Sequence, residues 1–354
     1  MVFLTSIAAN YLDKAKVMAT SLKKFHPNDK FVVLLNERKS VVPEFDWSPF
    51  DLVLTPEDLW PSEYEGVLFQ YNIEEACTAV KPQGFIHAMK HFRDEDLFIY
   101  MDPDLFVFGP LTEVVEASKT YEIILTPHLT YAETSSEGIL DNEITGALRH
   151  GIYNLGFLAI RRGQHSQAYL EWWANRLYKY CWADYNWNLW TDQKWNDLAP
   201  GYFESVNIFR RPGYNIAPWN IVYRKITREN GAYLCNGEPL RFVHFTGFDS
   251  GANLMMLKKY CPDENAAIYE IRRHYLAALE ANKQAKKVSW SFGKFKNGDP
   301  IKKWHRHLFR KSPWANPYEN EPSVASKTKF FAETLSGMYK KSRQEFAKLN
   351  STRW

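Results

Sequence analysis

Apolar and polar positions along this chain fall into short continuous runs separated by helical stripes. Residues 2–8 and 30–35 are apolar runs of strand length, the second rich in Val and Leu. Between them, residues 12–25 bring Ala15, Met18, Ala19 and Leu22 to one face of a helix, which His26-Pro27-Asn28-Asp29 stops. Strand, helix and strand within about 35 residues predict a βαβ unit, and therefore a parallel sheet flanked by helices. Residues 51–54 predict a third strand. Farther on, 122–126, 153–162, 206–210 and 240–244 read as strands. Residues 71–81, closed by Pro82, then 85–92 and the aromatic-rich 166–180 read as helices. A polar loop with a short helix fills 127–151, and 264–286 is again helical by pattern.

Residues 97–108 differ from the other runs. Leu97-Phe98-Ile99-Tyr100-Met101 climbs to Asp102-Pro103-Asp104 and resumes as Leu105-Phe106-Val107-Phe108. This predicts a buried strand that delivers two carboxylates to its end, the edge where open α/β sheets hold ligands. Two hard oxygen donors suit Mg²⁺ or Mn²⁺, which keep positions free for phosphate oxygens. A bare Asp-x-Asp is short and common, and is more often an acidic turn. Three later segments add to it. Tyr153-Asn154-Leu155-Gly156 sets an amide and a glycine at the mouth of a strand. Thr191-Asp192-Gln193 sets a carboxylate and an amide side by side in an aromatic, polar loop. Val243-His244-Phe245-Thr246-Gly247 ends a strand in an imidazole able to complete a metal site with two carboxylates.

Composition narrows the class. With 354 residues, 45% hydrophobic and 24% charged, the chain buries a sizeable core in the manner of an ordinary globular protein. A net charge of +3 is too small for nucleic-acid binding by the chain as a whole, so no nucleic-acid partner is expected. Cys77, Cys181, Cys235 and Cys261 form no C-x-x-C pair, which argues against a zinc site and a disulfide framework. The first ten residues lack a basic leader region, and no run approaches the ~18 apolar residues of a membrane span. The expected location is the cytoplasm. The 13 Trp and 20 Tyr suit sugar or base recognition as well as core packing. Between Lys283 and Lys311, ten Lys or Arg face one acid, Asp299, interleaved with Trp290, Phe292, Phe295, Trp304 and Phe309. Such a stretch holds a protein on an anionic bilayer, binds an acidic acceptor, or forms a solvated face on a helical extension.

Taken in order, the Asp-x-Asp strand, the Asn-x-Gly strand, Asp192-Gln193 and the late His-x-x-Gly resemble the nucleotide-sugar glycosyltransferases of the GT-A fold. The retaining enzymes related to glycosyltransferase family 8 are the nearest match. The strings at 71–82, 102–104 and 244–249 are similar to those of bacterial members that build surface polysaccharides. The resemblance implies an α/β fold, a GT-A (Rossmann-like) mixed, mostly parallel sheet flanked by helices. Its catalytic domain would span 1–255, with a helical, basic-aromatic C-terminal extension over 256–354. It implies transfer of a sugar from a nucleotide diphosphate donor, UDP-linked, to a glycan or lipid-linked oligosaccharide acceptor. A peripheral contact with the inner face of the plasma membrane would run through 283–311.

Carried over residue by residue, the resemblance gives Asp102, Asp104 and His244 to Mn²⁺ or Mg²⁺ bridging the donor's two phosphates. Ala8, Asn10 and Tyr11 would hold base and ribose, and Lys81, Asp102 and Gly247 would also bind the donor. Asn154, Asp192 and Gln193 would surround the donor sugar, with Asp192 on its hydroxyls and Gln193 near the anomeric carbon. Glutamine is a poor nucleophile, so a front-face displacement aided by the leaving phosphate fits better than a covalent intermediate. One departure stands out. The family carries a lysine after the glycine, whereas here Gly247 precedes Phe248-Asp249-Ser250. Phosphate binding would then fall to Lys81, Arg210, Arg211 or Arg224, and the loops 210–220 and 127–150 would form the acceptor site. An inverting enzyme on the same fold, or a sugar-nucleotide-binding protein without turnover, are the alternatives. A nucleotidyltransferase would want a glycine-rich loop after the first strand, and residues 6–11 contain no glycine.

Overall fold

The computed structural model describes residues 1–283, 288–319, 321–322, 326–328, 331–332 and 334–336. The strands of the main sheet and of the short ladder beside it, in chain order, are β1 (Val2–Ile7), β2 (Lys30–Leu35), β3 (Leu52–Leu54), β4 (Leu97–Met101), β5 (Leu105–Val107), β6 (Ile123–Pro127), β7 (Tyr153–Arg161), β8 (Val206–Ile208) and β9 (Phe242–His244). The longer helices are α1 (Leu12–Lys23), α2 (Ile73–Ala79), α3 (Lys81–His91), α4 (Gln164–Tyr180), α5 (Ala252–Tyr260), α6 (Ala267–Ala281) and α7 (Lys303–Lys311). Seven strands form one sheet in the order β8-β6-β7-β4-β1-β2-β3. β1, β2, β3 and β4 are mutually parallel, and β7 runs antiparallel to both β4 and β6.

Helices cover both faces of this sheet, which is why β1 and β4 are buried along their whole length instead of alternating with water. Val2 and Leu4 point into one core layer with Tyr71 and Trp173. Phe3 points into the other, with Met18 and Leu22 of α1. Outside the main sheet, β5 and β9 pair antiparallel, with His244 opposite Leu105. That short ladder places the late histidine beside the Asp-x-Asp.

Two local expectations are corrected. The apolar run 97–108 is two strands, because Pro103 removes a ladder donor and the chain turns between the carboxylates. Pro82 does not close a long helix; α2 stops at Ala79, and Pro82 sits in the first turn of α3, where its missing N–H is harmless. The polar loop 127–151 contains a ten-residue π-helix, Ile139–Leu148. The helix expected over 264–286 is α6, and residues 284–286 of that expectation lie outside the described ones.

The basic-aromatic stretch also turns inward. Phe292, Phe295 and Phe309 belong to the main core beside Phe69 and Tyr71. The Phe69 ring meets Phe309 at 5.0 Å, Tyr318 at 5.1 Å and Trp314 at 5.4 Å. Buried Arg306 donates to the carbonyls of Phe69 and Phe292, each at 2.9 Å. Of the rings on which a bilayer contact at 283–311 depended, Phe292, Phe295 and Phe309 are core, whereas Trp290 and Trp304 are half-buried. The part of the extension beyond residue 336 lies outside the described residues.

Candidate metal and nucleotide-sugar site

The site forms where β1, β4 and β9 end and β7 begins. The Asp102 amide donates to Gly156 O at 2.8 Å, continuing the β4–β7 ladder one step past the strand. The Phe245 amide donates to Asp104 O at 2.9 Å and fixes the far side of the turn. One donor atom from each of Asp102, Asp104 and His244 then lies within 4.8 Å of the others. His244 Nε2 stands 3.2 Å from Asp104 Oδ1 and 3.8 Å from Asp102 Oδ2. Its Nδ1 faces Asn215 Oδ1 at 3.1 Å; an N–H donated there leaves Nε2 for a ligand, the usual arrangement of a metal-binding histidine. Burial would raise the Asp104 carboxyl, but the neighbouring His244 holds it below the usual carboxylate range. Two carboxylates and one imidazole suit a hard divalent cation such as Mn²⁺ or Mg²⁺.

Gly156 makes this approach feasible. A Cβ at that position would stand 2.5 Å from His244 Cε1 and 2.7 Å from Asp102 Oδ2. Tyr100 donates its hydroxyl to Asp102 Oδ1 at 2.8 Å, orienting the carboxylate from below.

Lys81, at the start of α3, is 3% exposed and lies beneath the same cluster. Its ammonium sits 2.9 Å from Asp192 Oδ2, 3.7 Å from Asp102 Oδ1, and donates to Leu155 O at 3.0 Å. Burial lowers the Lys81 pKa, and the carboxylates of Asp192 and Asp102 more than reverse this, so the lysine stays charged. Gln193 is engaged at both ends. Its Oε1 accepts from the Leu155 amide at 3.2 Å, and its Nε2 donates to His150 O at 3.0 Å.

Two cavities meet over the Asp pair, sharing Glu74, Thr78, Asp102 and Asp104. The smaller, about 240 Å³, is lined by Ala8, Asn10 and Tyr11. The larger, about 480 Å³, is lined by Asn154, Asp192, Gln193 and Thr246. Gly247 follows Thr246 with φ +67°, a left-handed turn that favours glycine. Arg224 is buried away from both, donating to Pro212 O and, at 2.7 Å, to Tyr214 O. Arg210 and Arg211 line a separate groove with Glu113 and Glu238. Asp249, in the loop after Gly247, receives the Lys14 ammonium and, at 2.8 Å, the Tyr11 hydroxyl. The acid thus ties the loop after Gly247 to α1 beside the smaller cavity.

The structure singles out residues that the sequence placed only within the loops 127–150 and 210–220. His128 lines the larger cavity, accepts at Nε2 from the Asn154 amide at 3.1 Å, and is pushed down by burial to about 4. The Trp219 indole donates to His128 O at 3.2 Å and its ring meets His244 at 5.7 Å. Asn215, on the back of His244, has a left-handed φ of 52° that asparagine tolerates. A lone His or Asn in a loop carries no periodic or motif signal.

No family model matches the chain. An uncharacterized protein of Bacillus subtilis (strain 168), YfnD, is 27% identical over 179 residues, 50% of this chain and 55% of its own length. The match thus spans about half of that relative. Among solved structures, the galactosyltransferase LgtC in complex with donor and acceptor sugar analogues aligns over 81% of this chain and 98% of its own, at 16% identity and a TM-score of 0.44. The glycosyltransferase GlyE of Streptococcus pneumoniae TIGR4 aligns over 83% of this chain and 66% of its own, at 16% identity and a TM-score of 0.43. The seven-stranded sheet, with β7 reversed between β4 and β6, is the deciding observation. The chain has a mixed, mostly parallel α/β sheet with helices on both faces. On this scaffold the Asp-x-Asp occupies the end of the central β4, beside the reversed strand that supplies Asn154 and Gly156.

Proposed function

We propose that this chain is a metal-dependent glycosyltransferase of the GT-A fold. It moves a sugar from a nucleotide diphosphate donor, UDP-linked, to a glycan hydroxyl, with retention, in bacterial surface polysaccharide synthesis. The observation that carries the reading is the convergence of Asp102, Asp104 and His244 at the junction of two cavities. Those three side chains would hold Mn²⁺ or Mg²⁺, a Lewis acid that offsets the charge growing on a leaving diphosphate.

The remaining roles fall to the chain's own residues. Ala8, Asn10 and Tyr11 receive base and ribose in the smaller cavity. Lys81 neutralises Asp192 and fixes its orientation, so that Asp192 accepts hydrogen bonds from donor-sugar hydroxyls instead of attacking carbon. Gln193 and Asn154 shape the pocket around the anomeric centre. With both ends of Gln193 already bonded, no free nucleophile is offered there, which favours front-face displacement. The acceptor oxygen bonds to the anomeric carbon as the carbon–oxygen bond to phosphate breaks, and the departing phosphate oxygen takes the hydroxyl proton.

The test is turnover of a panel of nucleotide sugars with Mn²⁺. Asp104→Ala is expected to lower it by on the order of 10³, and excess chelator to abolish it in the wild type. Unchanged turnover in either case would overturn the metal-dependent reading. The anomeric configuration of the product by NMR tests the stereochemistry, and inversion would remove the roles given to Asp192 and Gln193.

A further inference from the structure

Three consecutive residues after β2 grip three consecutive residues of the C-terminal stretch. The Trp290 indole donates to Asn36 O at 2.8 Å. The Ser291 amide donates to Glu37 Oε2 at 2.7 Å, and the Arg38 amide donates to Ser291 Oγ at 2.8 Å. The Arg38 guanidinium lies over the Phe292 ring, 4.9 Å from its centre. Phe292 is itself buried in the main core, which anchors the segment.

Two of the same residues reach the other way, to the smaller cavity. Glu37 is 1% exposed, and its second oxygen, Oε1, accepts from the Ala9 amide at 3.1 Å. Ala9 opens the 3₁₀ turn Ala9–Tyr11, whose Asn10 and Tyr11 line that cavity. A helical turn leaves its first amides without partners. Ala8, at the capping position, has no side chain to accept from them, so the Glu37 carboxylate caps the turn from another segment. Asn36 works one step deeper. Its Nδ2 donates to Ser6 Oγ at 3.0 Å, and Ser6 Oγ donates to Cys77 O at 2.6 Å; Ser6 and Cys77 both line the cavity.

Burial pushes the Glu37 carboxyl above its usual range, and the Ser291 and Ala9 donors offset that only in part. It makes no ion pair among the described residues. An apolar side chain would fill the same volume without this cost. What the carboxylate adds is geometry, two acceptor atoms that fasten two amides to one rigid plane.

We propose that Glu37 is a positioning residue for the smaller cavity, and that residues 290–292, acting through it, brace the nucleotide site from outside. Docking of this segment and binding in the cavity then favour one another, because coupling between two sites is reciprocal. The word nucleotide, though not the coupling, rests on the glycosyltransferase reading.

The experiment uses two variants of the full chain. Glu37→Gln keeps the volume but turns one acceptor into a donor facing another N–H. The double variant Trp290→Phe, Ser291→Ala keeps a ring and the Ser291 amide, and neither residue lines either cavity over the Asp pair. In the unliganded chain, amides of 9–12 are expected to exchange hydrogen about ten-fold faster in both variants. Calorimetric titration with Mn²⁺ present then compares UDP with inorganic pyrophosphate, which has no base or ribose. Glu37→Gln should weaken UDP binding about ten-fold and the double variant about five-fold, with pyrophosphate binding and the circular dichroism spectrum unchanged. UDP should in turn slow exchange at 290–292 in the wild type. Unaltered exchange at 9–12 would overturn the proposal. So would a chain whose UDP affinity the variants leave unchanged, or one that loses pyrophosphate binding equally, the mark of general destabilisation. A chain whose exchange at 9–12 responds to the variants yet binds no nucleotide sinks the nucleotide reading alone.

Discussion

At residue 156 the site has room for a hydrogen and little else. A methyl group there meets His244 and Asp102 below 3 Å, and both are held from behind, His244 by Asn215 and Asp102 by Tyr100. Gly156→Ala is therefore expected to weaken Mn²⁺ binding by about 10–100-fold, read by calorimetric titration of the metal, because the ligands must move apart. Lys81 argues a different point. Its charge is buried among Asp192, Asp102 and the Leu155 carbonyl, so Lys81→Met leaves a carboxylate buried without its counter-charge. Unfolding by denaturant should show a loss of roughly 3–5 kcal/mol. A surface lysine reaching only for substrate phosphate would show almost none.

At the scale of elements, the strand that carries His244 is tied down by one network. Arg241, the residue before β9, donates to both Glu113 oxygens, at 2.6 and 3.0 Å, and Tyr214 donates to Glu113 at 2.7 Å. Burial alone would raise the Glu113 carboxyl; the donors outweigh it and bring its pKa to about 2. A folded-state value below the unfolded one means that the stabilisation is complete above the ordinary carboxylate range and is lost as pH falls toward 2. Glu113→Gln should lower stability by about 1 kcal/mol at neutral pH, a modest figure because the group is partly solvated. The gap from wild type should close in acid, as measured by thermal unfolding across pH. The C-terminal stretch acts on the opposite side of the sheet. Phe292 is 0% exposed in the main core, so Phe292→Ala is expected to cost about 3–5 kcal/mol in chemical unfolding. A detachable membrane arm would give a far smaller value.

For the whole molecule, metal and fold are coupled through strands distant in sequence. Asp102 follows β4 and His244 closes β9, so the assembled triad exists only in the folded chain. Mn²⁺ at a hundred times its dissociation constant should stabilise the wild type by about 2.7 kcal/mol and leave Asp104→Ala unmoved, as read by thermal shift. The order of strands and helices was legible in the chain because periodicity is local: 30–35 is β2 to the residue, and the apolar β1, β4 and β7 announce a sheet covered on both faces. The Asp-x-Asp and the late histidine were legible as chemistry, and their order pointed to one site. Asn215, His128 and Trp219 were legible only as parts of the loops 127–150 and 210–220, since the place of each depends on a loop's path and not on a pattern. Phe292, Phe295 and Phe309 read as candidates for a surface because nothing local distinguishes a ring that packs on Phe69 from one that faces a bilayer. Sequence by itself determined the alternation of elements and which residue types stand at strand ends. Tertiary structure decided that β9 pairs with β5 and that Lys81 lies under the carboxylates. The physical reason is that hydrophobic period is set by neighbours in the chain, whereas a site is set by which backbones hydrogen-bond across it.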